Sequence, residues 1–420
     1  MVYSFNKKEG ILIYWNPLKI LGEIEKMKES LFNYRFEYEN QKYIFNTNNN
    51  DLIQINNDIF TEEEREYLRV NRFWVDDNED EIALLEREIN HNIQKRQKEL
   101  ELTIALTNYC NFSCVYCYQN KNEKLMTTEV ANMIIEKIDR ILNDNIFEGI
   151  NIHYFGGEPL LNIPVLIYLD ENIKKITDKI GIVYKAFLTT NGSMLSKELL
   201  QKVKFSSIQL TFDGLEKTHD RLRVSDHFHF KEEIELIENI MNFSQAKVLL
   251  RTNICKENKD EIIALHKYIF EKFGNERIEI NPNRTIKYHQ DDSFEMLSVQ
   301  EYAEVAYQIK LLWSEQKGKF ELPVPRSTPC KFPYGNAYAI SPEGYCTFCS
   351  GSMDQEKKYF FDVDIENKKM FSVRKECKKC NILPLCLGGC IIQYNLRAGA
   401  CTYEKYELKN ILISYIKHIS

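Results

Sequence analysis

Apolar and polar positions change period repeatedly after residue 101. Short apolar runs at 102–107, 150–155, 182–188, 208–212, 247–251 and 277–280 read as strands. Between them, stretches at 128–142, 196–205, 230–243 and 260–273 repeat apolar residues about every 3.6 positions and read as helices. This alternation predicts a parallel sheet with right-handed crossovers. A flat doubly wound sheet and a partial barrel both satisfy it, and in either the ligand site lies at the carboxyl ends of the strands. The first 95 residues read differently. Alternation at 34–38 and 42–46 around a turn at 39–41 predicts a hairpin in a small α+β region. Thr61-Glu62-Glu63-Glu64 starts a short helix as a capping box, and 80–100 reads as a longer charged helix. After a helix at 299–315, the chain from Pro323 onward shows little periodic signal.

Composition narrows the function classes. With 420 residues, 44% hydrophobic and 28% charged, the chain is long enough for two or three globular domains. The net charge of −7 argues against a broad cationic surface, so nucleic acid is not an expected partner. No apolar run approaches the roughly 18 residues of a membrane span, and the first ten residues lack a signal-peptide core, which predicts a cytoplasmic protein with no membrane partner. In a reducing compartment the 12 cysteines are not expected to form structural disulfides, which leaves metal binding, catalysis or burial. Eight of them fall between Cys330 and Cys401, where metal ligation could supply the folding energy that a periodic core does not.

Directly after the first strand, Cys110, Cys114 and Cys117 form a C-x3-C-x2-C array. Three thiolates leave one iron of a four-iron cluster without a protein ligand, whereas a structural zinc would require a fourth ligand nearby. The array resembles the signature of the radical S-adenosylmethionine (SAM) enzymes. That resemblance implies a partial (β/α)6 barrel and a cluster whose free iron binds SAM. Gly156-Gly157-Glu158-Pro159 after the second strand resembles the family's SAM-amino segment, with Gly allowing close backbone approach and a carboxylate suiting an ammonium. Asn191 in Thr190-Asn191-Gly192, and Thr211 and Asp213 in Thr211-Phe212-Asp213-Gly214, fall where the family binds the cofactor. Arg223 closes an HDxxR-like segment that begins at His219 and would reach the SAM carboxylate or ribose. Tyr116 reads either as a packing residue or as a surface for adenine.

The second constellation is Cys377-x2-Cys380-x5-Cys386-x3-Cys390, followed by Cys401 and preceded by Cys330, Cys346 and Cys349. It resembles the SPASM extension of the same family, which holds two auxiliary four-iron clusters; a pair of zinc sites is the alternative chemistry. The resemblance implies three 4Fe-4S clusters and SAM as cofactors. Cys330, Cys349 and Cys390 would serve one auxiliary cluster and Cys377, Cys380, Cys386 and Cys401 the other. Cys346 either closes the first of these or points away along a strand, since the motif does not require a cysteine there. Cys255 is left over as a small buried hydrophobe.

The organisation so predicted is an α/β protein of three parts. Residues 1–95 are an amino-terminal region, 96–320 the partial barrel and 321–420 a cysteine-rich auxiliary-cluster domain. By the resemblance, the expected activity is maturation of a ribosomally made precursor peptide through a thioether or carbon–carbon crosslink, with flavodoxin or ferredoxin as electron donor. A sulfatase-maturing, formylglycine-forming enzyme and an electron-transfer iron–sulfur protein are the alternatives. Residues 43–55 would offer a sheet edge to a leader peptide, or else form an ordinary packing extension.

Overall fold

The computed structural model describes residues 2–5, 12–13, 27–55, 60–144, 147–274, 277–287, 293–334, 336–347, 349–352, 358–363, 370–396 and 401–419. The amino-terminal part carries β1 (Val2–Phe5), β2 (Leu12–Ile13), β3 (Met27–Glu29), β4 (Asn33–Tyr38), β5 (Gln41–Asn46), β6 (Asp51–Ile55), α1 (Glu62–Val70), β7 (Trp74–Asp76) and α2 (Glu81–Arg96). Alternation follows, with β8 (Glu99–Ala105), α3 (Thr128–Asp144), β9 (Gly149–Phe155), α4 (Ile163–Ile180), β10 (Val183–Thr189), α5 (Lys197–Lys202), β11 (Phe205–Thr211), α6 (Glu216–Leu222), α7 (Phe230–Phe243), β12 (Lys247–Ile254), α8 (Ile262–Phe273) and β13 (Ile278–Arg284). The remainder holds α9 (Val299–Lys317), α10 (Lys331–Tyr334), β14 (Ala337–Ile340), β15 (Tyr345–Thr347), β16 (Lys358–Tyr359), α11 (Leu383–Cys386), α12 (Ile391–Leu396) and α13 (Glu404–Ile419). The chain divides into two compact units, each assembled from separated stretches: 1–92 with 299–330 and 370–420, and 93–298 with 331–369.

In the central unit, β8 to β13 pair in parallel and in sequence order. Because the order never reverses, right-handed crossovers carry the helices to one face, which is the arrangement of an open barrel rather than a doubly wound sheet. The sheet does not close among the described residues. Instead β14 adds in parallel beside β8, and β15 and β16 extend that edge antiparallel. All six expected strands are present within a few residues of their expected limits. Helix α4 and strand β14 were not foreseen. Along β9, Ile150, Ile152 and Tyr154 are buried while Asn151, His153 and Phe155, on the opposite face, are half-buried. That second face mixes Phe155, Phe187 and Leu249 with polar residues, among them His153 bonded to Thr189 at 2.7 Å, Arg251 to Asn253 at 2.8 Å and Asn281 to Gln209 at 3.3 Å.

In the other unit the amino-terminal hairpin forms as expected, with Glu39 and Asn40 at positive φ in a tight two-residue turn. Thr61 and Glu64 make the reciprocal capping box, Glu64 N–H donating to Thr61 Oγ1 at 3.2 Å and Thr61 N–H to Glu64 Oε2 at 2.8 Å. The sheet order is β2-β1-β6-β5-β4. Residues 43–55 therefore do not provide an edge: β5 lies between β4 and β6, and β1 covers β6. Both faces of the sheet are buried. Ile44, Ile53 and Ile55 pack with Phe60, Leu68 and Phe73 around α1. Phe36, Tyr43, Phe45 and Leu52 pack with Ile382 and Leu385 of the cysteine-rich stretch and with Leu408, Leu412 and Ile416 of α13. Helix α13 was likewise not foreseen, and it gives the carboxyl-terminal region a hydrophobic core shared with the first fifty residues.

Candidate functional site

The carboxyl ends of β8 to β11 converge on the loop that carries Cys110, Cys114 and Cys117. The base of this loop is pinned on itself: Met126 N–H donates to Leu106 O at 2.8 Å, Thr107 Oγ1 to Lys124 O at 2.8 Å and Asn108 N–H to Lys124 O at 3.1 Å. Its far side is tied to the segment after α6 by Ser113 N–H to Val224 O at 2.8 Å and Val115 N–H to Leu222 O at 3.0 Å. The loop after β9 closes against it, with Gly157 N–H donating to Thr107 O at 2.8 Å and Glu158 N–H to Tyr109 O at 2.9 Å. A Cβ at Gly156 would fall on Thr107 O and one at Gly157 on Tyr109 O, so the two glycines are required by the approach of the cysteine loop itself.

Glu158 is fully buried and its carboxylate has three donors from within the protein. Oε1 accepts from Leu160 N–H at 3.0 Å and Thr190 Oγ1 at 2.6 Å, and Oε2 from Asn191 N–H at 2.6 Å. Burial pushes its pKa up to about 7, opposed by those donors and by Arg223. Asn191 in turn donates to Asn111 Oδ1 at 2.8 Å and lies 3.8 Å from Cys110 Sγ. Glu158 and Asn191 thus lock the loops after β9 and β10 onto the cysteine loop.

Asp213 is buried and accepts from Asn253 N–H at 2.7 Å and from the Tyr116 hydroxyl. The Tyr116 ring sits edge-on to Phe294 in a cluster with Val115, Leu222 and Cys255. Cys255 is wholly buried there, as expected of a packing residue. Thr211 is buried at the end of β11. His219 packs between Phe212 and Phe230 beside Glu233, and Asp220 accepts from Phe230 N–H at 2.8 Å. These two residues dock α6 on α7 and so aim the residue that caps α6, Arg223.

Arg223 is 6% exposed, its guanidinium lies 5.4 Å from the Phe112 ring centre, and its Nε has no hydrogen-bond partner among the described residues. A buried guanidinium with an unused donor suits an anionic partner. Burial pushes the Cys114 thiol up to about 12, with Arg223 opposing, and burial likewise raises Cys110. Among the described residues no three His, Cys, Asp or Glu side chains stand together as ligands of a single ion. A four-iron cluster spreads its thiolates around an inorganic core instead, and three cysteines on a pinned loop beside an under-used cation fit that donor set.

The carboxyl-terminal cysteines are placed as follows. Cys377, Cys380 and Cys386 occupy one short stretch, with Cys380 N–H donating to Cys377 O at 3.0 Å and Cys386 capped by the left-handed run Leu387, Gly388 and Gly389. Thr402, next to Cys401, packs against Gly389, and the Cys386 thiol donates to Leu383 O at 3.8 Å. Cys330 and Cys390 are exposed. Cys346 is buried in β15, where it pairs with Ile340 and Lys358, while Cys349 lies just beyond the strand and exchanges bonds with Thr347. Residues that sequence reasoning missed include Asn258, which is buried and donates to both Asp213 O at 2.8 Å and Asn253 O at 2.9 Å. Nothing in the sequence distinguished it from other asparagines in turns.

Residues 104–269 match the profile of the Radical SAM superfamily. Over 78% of this chain and 76% of the relative, the sequence is 24% identical to the radical SAM cyclopropyl synthase TigE of Paramaledivibacter caminithermalis. Shorter matches at 34% and 31% identity span 39% and 53% of those relatives' own lengths. The structure of anSMEcpe with bound AdoMet and Cp18Cys peptide is similar at a TM-score of 0.60 and 18% identity, covering 76% of this chain and 98% of that one. SuiB of Streptococcus suis, bound to the precursor peptide SuiA, is similar at a TM-score of 0.53 and 16% identity, covering 88% and 96%.

Proposed function

The chain carries a Radical SAM superfamily domain at residues 104–269 and is a radical SAM enzyme, the premise from which we propose that it matures a ribosomally made peptide by installing a thioether or carbon–carbon crosslink. When bound, the reduced cluster and SAM supply a 5′-deoxyadenosyl radical that takes a hydrogen from the substrate. Cys110, Cys114 and Cys117 hold that cluster in this reading. Arg223 receives the SAM carboxylate on its unused donor, Gly156 and Gly157 present their backbone to the cofactor, and Tyr116, Asn191, Thr211 and Asp213 shape the pocket. The buried carboxylate of Glu158 acts through position, because its oxygens already accept from Leu160, Thr190 and Asn191. The eight carboxyl-terminal cysteines, in a SPASM-like domain at 321–420, would hold two auxiliary clusters, which would supply electron transfer to the reaction. A flavodoxin or ferredoxin supplies the first electron in the cytoplasm; no helix among the described residues is long and apolar enough to cross a membrane.

The observation that carries the peptide reading is the half-buried face of the open sheet opposite the helices, where polar side chains stand among Phe155, Phe187 and Leu249. His153, Thr189, Gln209, Arg251, Asn253 and Asn281 there offer donors and acceptors suited to a peptide backbone. Burial holds His153 down to about pKa 4, so it is neutral at pH 7. A leader peptide would pair with β2 or β4, the strands that end the amino-terminal sheet.

The test is anaerobic incubation of the reconstituted protein with SAM, a reductant and the short peptides encoded beside its gene. 5′-Deoxyadenosine together with a peptide lighter by two hydrogens supports the proposal. Formylglycine in a sulfatase peptide would instead favour the sulfatase-maturing alternative, and absence of 5′-deoxyadenosine would leave an electron-transfer role.

A further inference from the structure

Arg251 stands on β12 toward the carboxyl end of the open sheet, in register between Thr211 of β11 and Asn281 of β13. It is half-buried, and its Nε donates to Asn253 Oδ1 at 2.8 Å, which holds the guanidinium in place. Its terminal nitrogens have no partner among the described residues, and they are not closed off from solvent. The same face offers them no carboxylate. Along β11, β12 and β13 the one acid is Glu279, which lies toward the amino end of β13 and pairs with Lys247. Asp213, just beyond β11, is buried and already accepts from Tyr116 and Asn253.

A guanidinium presents its donors as a planar fork that meets a carboxylate at two points, and partial withdrawal from water strengthens such a pair. Around Arg251 the face supplies amides, hydroxyls and apolar surface, so a neutral ligand laid across it would leave the charge uncompensated. We propose that Arg251 receives a carboxylate of the peptide substrate, either an aspartate or glutamate side chain near the residue that reacts or the peptide's own carboxyl terminus. Resting on the peptide reading above, this narrows the substrate to one that is acidic close to its modified residue. The two guanidinium groups then divide the site, Arg223 serving the SAM carboxylate and Arg251 the substrate.

The experiment uses the reconstituted full-length protein with SAM present and no reductant, so that the cofactor site is filled and nothing turns over. Two acid probes, N-acetyl-glutamate α-amide and N-acetyl-glycylglycine, are titrated by ligand-observed NMR beside their neutral counterparts, N-acetyl-glutamine α-amide and N-acetyl-glycylglycine amide. Saturable binding of one acid with no saturation by its neutral counterpart is the expected result, and the pair that shows it tells a side-chain carboxylate from a terminal one. Arg251→Gln should weaken the preferred acid at least fivefold while SAM affinity and iron content match the wild type. Should that variant fail to fold, Arg251→Lys, which keeps the charge but not the fork, should weaken it at least twofold. Equal binding of acid and amide, no saturable binding of either acid, unchanged affinity in the Arg251 variants, or an equal loss of SAM affinity in them, which would give Arg251 to the cofactor, would overturn the proposal. Because the probes report binding without turnover, a protein that binds the acid through Arg251 but yields no crosslinked peptide would lose the crosslinking assignment and keep the carboxylate site.

Discussion

The loop bearing Cys110, Cys114 and Cys117 and the stretch bearing Cys377, Cys380 and Cys386 are supported in different ways. The first is fastened by backbone hydrogen bonds to Leu106, Lys124, Leu222 and Val224 and by the close approach of Gly156 and Gly157. The second is anchored chiefly through Ile382 and Leu385, which enter a core with Phe45 and Leu412, and by bonds from other side chains and segments, Arg326 N–H to Pro384 O at 2.9 Å, Arg326 Nε to Leu385 O at 2.9 Å and Asn381 Nδ2 to Asn33 O at 3.1 Å, while Cys390 further along is exposed. A loop framed by its own backbone can hold its shape before a metal arrives. On the proposed ligation, the second stretch would draw part of its order from the cluster it holds.

The largest effect should separate the two regions outright. Replacing Cys110, Cys114 and Cys117 together by Ala should remove about four irons per chain and all SAM cleavage, as expected when a four-iron centre loses its ligands. Retained cleavage would end the assignment of that loop. Replacing Cys377, Cys380, Cys386 and Cys401 together should remove another set of about four irons. It should also abolish amide-exchange protection in 377–389 while the β8–β13 amides remain protected. Equal loss of protection in both regions would erase the contrast.

The anchors of the second region can be weakened directly. Leu412 is wholly buried in the core shared by the amino-terminal sheet and the cysteine-rich stretch, so Leu412→Ala should lower stability by about 2–5 kcal/mol. Urea unfolding of the reconstituted protein measures this, and a shift near zero would mean that the shared core contributes little. In the first region the corresponding change is Gly157→Ala. It presses a methyl group on Tyr109 O and should cost about 1–3 kcal/mol together with a loss of SAM affinity. Wild-type SAM binding in that variant would show that the two loops need not touch.

At neutral pH the smallest effect is that of a buried histidine, which shows only as a slope on the acid side. His266 of α8 is buried and held down to about pKa 3 by desolvation, with Thr252 Oγ1 at 3.2 Å from its Nε2. The unfolded chain binds a proton there below about pH 6.5 and the folded chain does not. Stability is therefore full above pH 6.5 and falls as pH drops toward 3, by at most about 1.4 kcal/mol per pH unit from this group. His266→Gln should flatten that slope in urea titrations of the central unit, leaving the pH response of the cysteine-rich stretch as it was. An unchanged slope would assign the acid sensitivity elsewhere.

The six parallel strands, the hairpin at 33–46 and the capping box at Thr61 were legible because each rests on local periodicity or on a turn that few residues can make. The cysteine array and its neighbours Glu158, Asn191, Asp213 and Arg223 were legible as chemistry. Their division of labour was not, since which carboxylate meets a cofactor and which braces a loop depends on partners far away in sequence. Glu158 bonded to Thr190 and Asn191, and Asp213 bonded to Tyr116 and Asn253, are such cases.

The sequence by itself determined that strands and helices alternate, that thiolates cluster after the first strand, and that the carboxyl-terminal cysteines lie in a region of weak periodicity. Only the tertiary structure decided that β14 joins the sheet beside β8, that β1 covers the strand expected to be an edge, and that α13 shares a core with the amino-terminal hairpin. Periodicity reports which face of an element is apolar, but not which apolar face it meets. That choice is made by the burial of complementary surfaces from distant parts of the chain, and no local pattern encodes it.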